Sequence, residues 1–345
     1  MVDRRRLADE PTVLLRGGPR CTVIDWSNMT SNARTSHQAL LKGVVPDVDR
    51  AKVGISYSGG GPRVVLEFGA AMAFINAGIV PDVIAGVSAG ALAATAHVLD
   101  PGSGRGIAIA AEVMPKRIST KGLGLTIEGL VEKVIRDRGK LQSFGDNSIL
   151  RGVAREVFTE AIGEEIPTIG RFGPPDHPLL MIAAADWLTE GALWFGNDTP
   201  IEDALLASGA IPGIFPWRHH DGENGHSVLV DGGVISNQPL SRLVLEGCGT
   251  ILACGFSTPP RAGPEPSSAL HSVLDAIQML MHQCSHLEED YVRLKLGDTG
   301  DIHRLLIDSD LASHDYDFTP ALIRETMANA EQQVTRQLRD LGYPR

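Results

Sequence analysis

The chain has 345 residues, of which 43% are hydrophobic, and a formal net charge of −11. That is enough for one large α/β domain or two modest ones with an ordinary core. The negative balance argues against nucleic acid as a general partner, because phosphate binding needs a basic surface, and against broad adsorption to an anionic membrane.

Cys21, Cys248, Cys254 and Cys284 show no C-x-x-C spacing and read as reduced, mostly buried thiols of a cytoplasmic chain. Arg4, Arg5 and Arg6 are followed by Asp9, Glu10 and Pro11 where the apolar region of a signal peptide would stand. The most apolar stretch, Val64 to Leu99, is interrupted by Glu67, Asn76, Pro81 and Asp82, so no run reaches the ~18 residues of a membrane span. The expectation is a cytoplasmic protein whose membrane contact, where there is any, is peripheral.

Residues 1–50 are polar, with one short strand expected at CTVIDW, and read as an extension wrapped on the domain or partly disordered. Their basic cluster fits a solvated tail better than a headgroup contact. The domain is expected over residues 51–345. VGISYS reads as a strand running into Gly59, Gly60 and Gly61, and the helix that follows has Pro62 at its first position and Gly78 at its end. Leu66, Ala70, Ala73 and Ala77 share one face of that helix. DVIAG is a second strand, and it turns at Ser88, within Gly86 to Gly90 (GVSAG), into the helix AGALAATAHVL. This parallel β-α-β unit puts both loops on the carboxyl edge of the sheet.

Residues 101–178 form a long insertion and a candidate cap, with amphipathic helices at TIEGLVEKVIRD and NSILRGVAREVFTEAIG. Leu125, Ile127, Leu130, Val131, Val134 and Ile135 would suit an apolar wall for an acyl chain, although an ordinary helix packed on the core is the stronger reading residue by residue. Further on come a buried strand at LLMIAAADWL, a hairpin partner at ALWFG, and a helix from TPIEDALL that breaks at Pro212. HHDGENGH reads as a turn and SVLVD as a strand ending at Asp231. A core strand at TILACGFS, a long amphipathic helix, a strand at IHRLLID and a terminal helix complete the chain.

Serine-based ester hydrolysis needs a nucleophile, a base and donors for an oxyanion. Ser88 sits in G-x-S-x-G between a strand and a helix, the nucleophile-elbow pattern, where Gly86 and Gly90 permit a tight turn. The free amides of the helix that begins at Ala89 would stabilise negative charge. Gly59, Gly60 and Gly61 can aim several N–H groups at one point, with Arg63 adding positive charge. A phosphate cradle is the competing reading of this loop, but both G-x-x-x-x-G-K-[ST] and the third glycine of G-x-G-x-x-G are missing. Asp231, in D-G-G at the end of an apolar strand, is the candidate base; burial would raise its proton affinity. Out of context the same triplet is a common turn.

Taken in order, GGGPR, GVSAG, ASGAIPGIFP and DGGVISNQP resemble the oxyanion loop, nucleophile elbow, Pro-rich block and aspartate block of the patatin-like phospholipases. The resemblance covers residues 53–257 and implies a three-layer α/β/α fold with a mostly parallel central sheet and a helical cap insertion. It also implies a Ser-Asp dyad at Ser88 and Asp231 and an oxyanion hole at Gly59, Gly60, Gly61 and Ala89 with Arg63 near it. The activity implied is hydrolysis of phospholipids, lysophospholipids or related lipid esters, with neither metal nor cofactor. Val64 departs from the family pattern, which has glycine there, and residues 1–50 fall outside the match.

Rival readings are a metal cluster at His219, His220, Asp221 and His226, better read as a solvated hairpin tip, and a triad drawing on His286, His303 or His314. Asp186 reads as structural. An acyltransferase using the same acyl-enzyme, or a silent lipid- or partner-binding protein, are the alternative functions.

Overall fold

The computed structural model describes residues 47–126, 133, 142–222, 225–257, 269–311 and 316–344. The chain divides into Met1–Asn32 and Ala33–Arg345, and all described residues belong to the second unit. The expected CTVIDW strand, the helix at 126–137 apart from Thr126 and Lys133, the 260–267 loop and His314 lie outside the described residues, as do Ile127, Leu130, Val131, Val134 and Ile135 of the suggested acyl wall.

An eight-stranded sheet runs through the described residues. Strand β1 (Asp49–Tyr57) lies between β2 (Val83–Val87) and β7 (Cys248–Phe256), parallel to both, and β7 pairs in parallel with β8 (Asp301–Ile307). On the other side β2 pairs in parallel with β3 (Leu179–Asp186). Strands covered on both faces are apolar along their whole length, and β2 is buried at every position. Helices α1 (Val64–Asn76), α2 (Ala89–Leu99) and α8 (Pro320–Asp340) share a core with Ile55, Tyr57, Ile84 and Leu252. The alternate residues Val83, Ala85, Val87 and Ile251 face a second core under α6 (Leu240–Leu245) and α7 (Ala269–Leu296). This period-two division between two covered faces makes the three layers.

The inserted region contributes α3 (Arg105–Arg117) and α4 (Ile149–Ile162). Ile107, Val113, Met114, Val153, Val157 and Phe158 join the first core, so this part of the insertion is a wall of the domain. Helix α3 is missing from the sequence reading: Gly104, Gly106 and Pro115 read as breakers, yet Gly104 is a left-handed cap and Pro115 falls in the last turn. Helix α5 (Ile201–Ser208) ends before Pro212, and its Glu202 is buried between Arg151 and Arg155 of α4.

Strands β4 (Gly191–Trp194) and β6 (Gly225–Asp231) run antiparallel to β3, and β5 (Arg218–Gly222) pairs with β6. The expected turn at HHDGENGH is therefore corrected: His219 to Gly222 are an edge strand, where polar, alternately exposed residues are tolerated because one edge and one face meet water. No described helix is long and apolar enough to cross a membrane.

Candidate active site

The register of β3 decides what meets at the site. Ala183 pairs with Val87 of β2, and the next residue, Ala184, pairs with Asp231 of β6. The same two residues pair with Trp194 and Leu193 of β4. A strand has two edges, so β2 and β6 must share one of them, their carboxyl ends abutting. Ser88, one residue past β2, and Asp231, the last residue of β6, are thereby brought together across 143 positions of sequence.

Ser88 Oγ donates to Asp231 Oδ2 at 2.6 Å. Both residues are buried, Asp231 completely. The second carboxylate oxygen accepts from Gly233 N at 2.8 Å. Burial pushes the Asp231 carboxyl from 3.8 up to about 7, against the opposing pull of the Ser88 and Gly233 hydrogen bonds. A carboxylate with this affinity is poised to accept a hydroxyl proton near neutral pH.

Ser88 has φ 52° and ψ −125°, a strained conformation for a residue with a Cβ. Two features hold it. First, the chain closes tightly around the turn: a Cβ at Gly86 would lie 2.2 Å from Gly90 O, and one at Gly90 would lie 2.5 Å from Tyr57 O. Second, Ser88 N donates to Ser208 Oγ at 2.8 Å, and Ser208 Oγ donates to Ala183 O at 2.6 Å. Asp231 N donates to Ala210 O at 2.9 Å. Ser208 and Ala210 of the ASGAIPGIFP block thus hold the backbones of Ser88 and Asp231. Sequence reading placed that block by resemblance but assigned no role to either residue.

The glycine loop lies against the elbow, a Cβ at Gly59 falling 3.2 Å from Ser88 Cβ. Gly59 N donates to Asn237 O at 2.9 Å, and Asn237 Nδ2 donates to Gly59 O at 3.3 Å. The Gly59 amide is therefore committed to anchoring the loop to the SNQP segment. Among the described residues the Gly60, Gly61 and Ala89 amides have no intramolecular acceptor, and Gly61 and Ala89 line a pocket with Ser88. The Arg63 guanidinium stacks over the Phe256 ring, 4.5 Å from its centroid. Val64 also lines the pocket. Behind the loop, the buried Glu67 carboxyl accepts from Ser58 Oγ at 3.5 Å, and burial holds it well above the usual carboxylate range.

The pocket at Ser88 is walled mainly by apolar side chains, among them Leu92, Met114, Leu123, Ile211 and Phe215. Tyr316 lines it too; burial, then the Asp231 charge, raises its pKa. Neither Met114 of the unpredicted α3 nor Tyr316 carries a local sequence signal for this position.

The rival groups fall elsewhere. His226 bridges His219 (3.2 Å) and Asp221 (2.7 Å) on the exposed β5–β6 hairpin, and His220 lies edge-on to Phe195. Among the described residues no group of three His, Cys, Asp or Glu side chains could hold a metal ion. His286 meets Arg304 at 3.2 Å on α7, and His303 lies within β8 opposite Leu252. No described histidine hydrogen-bonds to Ser88 or Asp231. Asp186 accepts from Leu188 N, Thr189 Oγ1 and Val228 N, tying the β3–β4 turn to β6.

A covered, mostly parallel sheet with a serine at a strand-to-helix turn facing a glycine loop defines a three-layer α/β protein. A family model described as patatin-like phospholipase matches residues 55–244, more than half of the sequence, and the chain belongs to that family. It is 26% identical over 200 residues to uncharacterized NTE family proteins of Mycobacterium tuberculosis and Mycobacterium bovis, covering 58% of this chain and 29% of each relative. The chain thus spans under a third of the length of these relatives. Similar solved structures include VipD from Legionella pneumophila (15% identity, 86% of this chain and 67% of that one, TM-score 0.40). Another is human GIVD cytosolic phospholipase A2 in complex with methyl gamma-linolenyl fluorophosphonate (13% identity, 87% and 58%, TM-score 0.48).

Proposed function

We propose that this chain is a serine lipid acyl hydrolase that cleaves carboxylic esters of phospholipids, lysophospholipids or related lipids through an acyl-enzyme on Ser88. The observation that carries the reading is the 2.6 Å hydrogen bond from Ser88 Oγ to a buried carboxylate whose pKa sits near 7. Asp231 Oδ2 takes the hydroxyl proton as Oγ attacks the ester carbonyl. The oxyanion of the tetrahedral intermediate is met by the amides of Gly60, Gly61 and Ala89, which have no acceptor among the described residues to give up. Collapse of the intermediate breaks the bond to the alcohol, which leaves with the proton from Asp231. Water then attacks the Ser88 ester with Asp231 again as base, releasing the acid and restoring the serine.

The apolar pocket beside Ser88 suits a fatty acyl chain. Trp187 and Leu188 are 66% and 57% exposed, and they follow Asp186 at the carboxyl end of β3, the end of the sheet that carries the dyad. Exposed apolar side chains at that end of the sheet suit peripheral docking on a lipid surface.

A fluorophosphonate probe tests the assignment. The reading expects one covalent adduct on the peptide that contains Ser88, absent from Ser88→Ala, together with hydrolysis of a p-nitrophenyl ester. Folded protein that stays unlabelled at Ser88, or Asp231→Asn with near-normal turnover, overturns it.

A further inference from the structure

Next to the Ser88 pocket lies a second, smaller apolar space, lined by Phe68, Val153, Val157 and Phe158 among others. Leu92, Met114, Ile118 and Leu205 line both spaces, so they are consecutive compartments with shared walls. One helix runs beside both. Ser88 caps α2, Leu92 is four residues on, and Thr95 is seven, so the three fall on one face of it. Thr95 lines the second compartment and is 3% exposed. Its Oγ1 has no hydrogen-bond partner, not even the carbonyl four residues back that a helical threonine commonly uses. An unpaired buried hydroxyl is costly, and native structures keep few of them without a reason.

We infer that the two compartments form one acyl channel and that Thr95 is a subsite for an oxygen carried midway along the acyl chain. The preferred acyl group is a hydroxy- or keto-substituted fatty acid rather than a plain one. A threonine hydroxyl can donate to a keto oxygen and can both donate to and accept from a hydroxyl. Seven residues of helix at about 1.5 Å each span about 10.5 Å from Ser88 to Thr95. An extended chain with C–C bonds of about 1.5 Å advances about 1.3 Å per carbon, which puts the oxygen near the eighth to tenth carbon. The inference rests on Ser88 being the acylated residue, since the channel is measured from there.

Binding of free acids separates the two. Displacement of a fluorescent fatty acid by 10-hydroxystearate and by stearate, read on the full chain, is expected to favour the hydroxy acid by about 10-fold, the effect of one satisfied hydrogen bond. Thr95→Val brings that ratio to about one, and Thr95→Ser preserves it. A chain that binds the two acids equally, binds neither, or keeps the ratio in Thr95→Val overturns the subsite. Failure of the nucleophile assignment shows separately, as absence of the fluorophosphonate adduct, whatever the ratio.

Discussion

Asp231→Asn tests the site through stability as well as turnover. The substitution keeps the shape of the side chain and removes its titration. In the wild type, burial moves the carboxyl from 3.8 in the unfolded chain to about 7 in the folded one. The folded state therefore holds the proton more tightly. The stability this confers is fully present below pH 3.8 and is lost as pH rises through 7. Between pH 5 and pH 8 the loss from this one group is roughly 2.5 kcal/mol. Asparagine contributes no such slope, and every other titrating group is common to both proteins. Urea unfolding of wild type and Asp231→Asn at the two pH values should show the variant gaining roughly 2.5 kcal/mol relative to wild type on going from pH 5 to pH 8. The kcat/KM of the wild type on a soluble ester should rise with pH along a limb centred near 7, as the base ionises, and the variant should lose about 10²–10⁴-fold. Parallel stability–pH curves for the two proteins, or a variant relatively weaker at pH 8, would refute the buried, high-affinity carboxyl.

Other outcomes follow from the packing. Gly90→Ala places a methyl 2.5 Å from Tyr57 O, a backbone atom that cannot swing aside, and should cost about 1–3 kcal/mol in urea unfolding while lowering fluorophosphonate labelling. Glu202 is held below the usual carboxylate range first by its hydrogen bond from Arg155, against burial, with Arg151 adding to the effect. Its contribution should be present at neutral pH and lost as pH falls below about 4.5. Glu202→Gln should flatten that acid loss, and Glu202→Ala should destabilise by about 3 kcal/mol at pH 7, both by urea unfolding. Replacing Trp187 and Leu188 with alanine should reduce sedimentation with phosphatidylcholine vesicles several-fold while leaving hydrolysis of a soluble ester unchanged. Equal sedimentation would remove this turn from the docking surface.

Much of the architecture was legible because it is local. The strand, glycine loop, helix and elbow from Val53 to Leu99 each carry their own composition and punctuation, and their order fixes a parallel crossover. Ser88 and Asp231 could be named from the blocks that contain them. Their meeting could not be derived from either block, because it depends on β6 running antiparallel along the edge of β3 that β2 vacates. The functions of Ser208, Ala210 and Asn237 were invisible for the same reason: each is a hydrogen bond to a residue far away in sequence. Helix α3 escaped because its glycines and Pro115 look like breakers in isolation. The β5 strand escaped because HHDG has turn composition and takes its conformation from pairing with β6.

The end-to-end meeting of β2 and β6 has a bearing on when the proposed dyad comes together. The hydroxyl and its proton acceptor have no common support until the strand between them is already threaded into place. A chain halted anywhere short of that point carries the serine without its base. The hydrolysis proposed for this pair is in this way tied to the assembly of that part of the sheet.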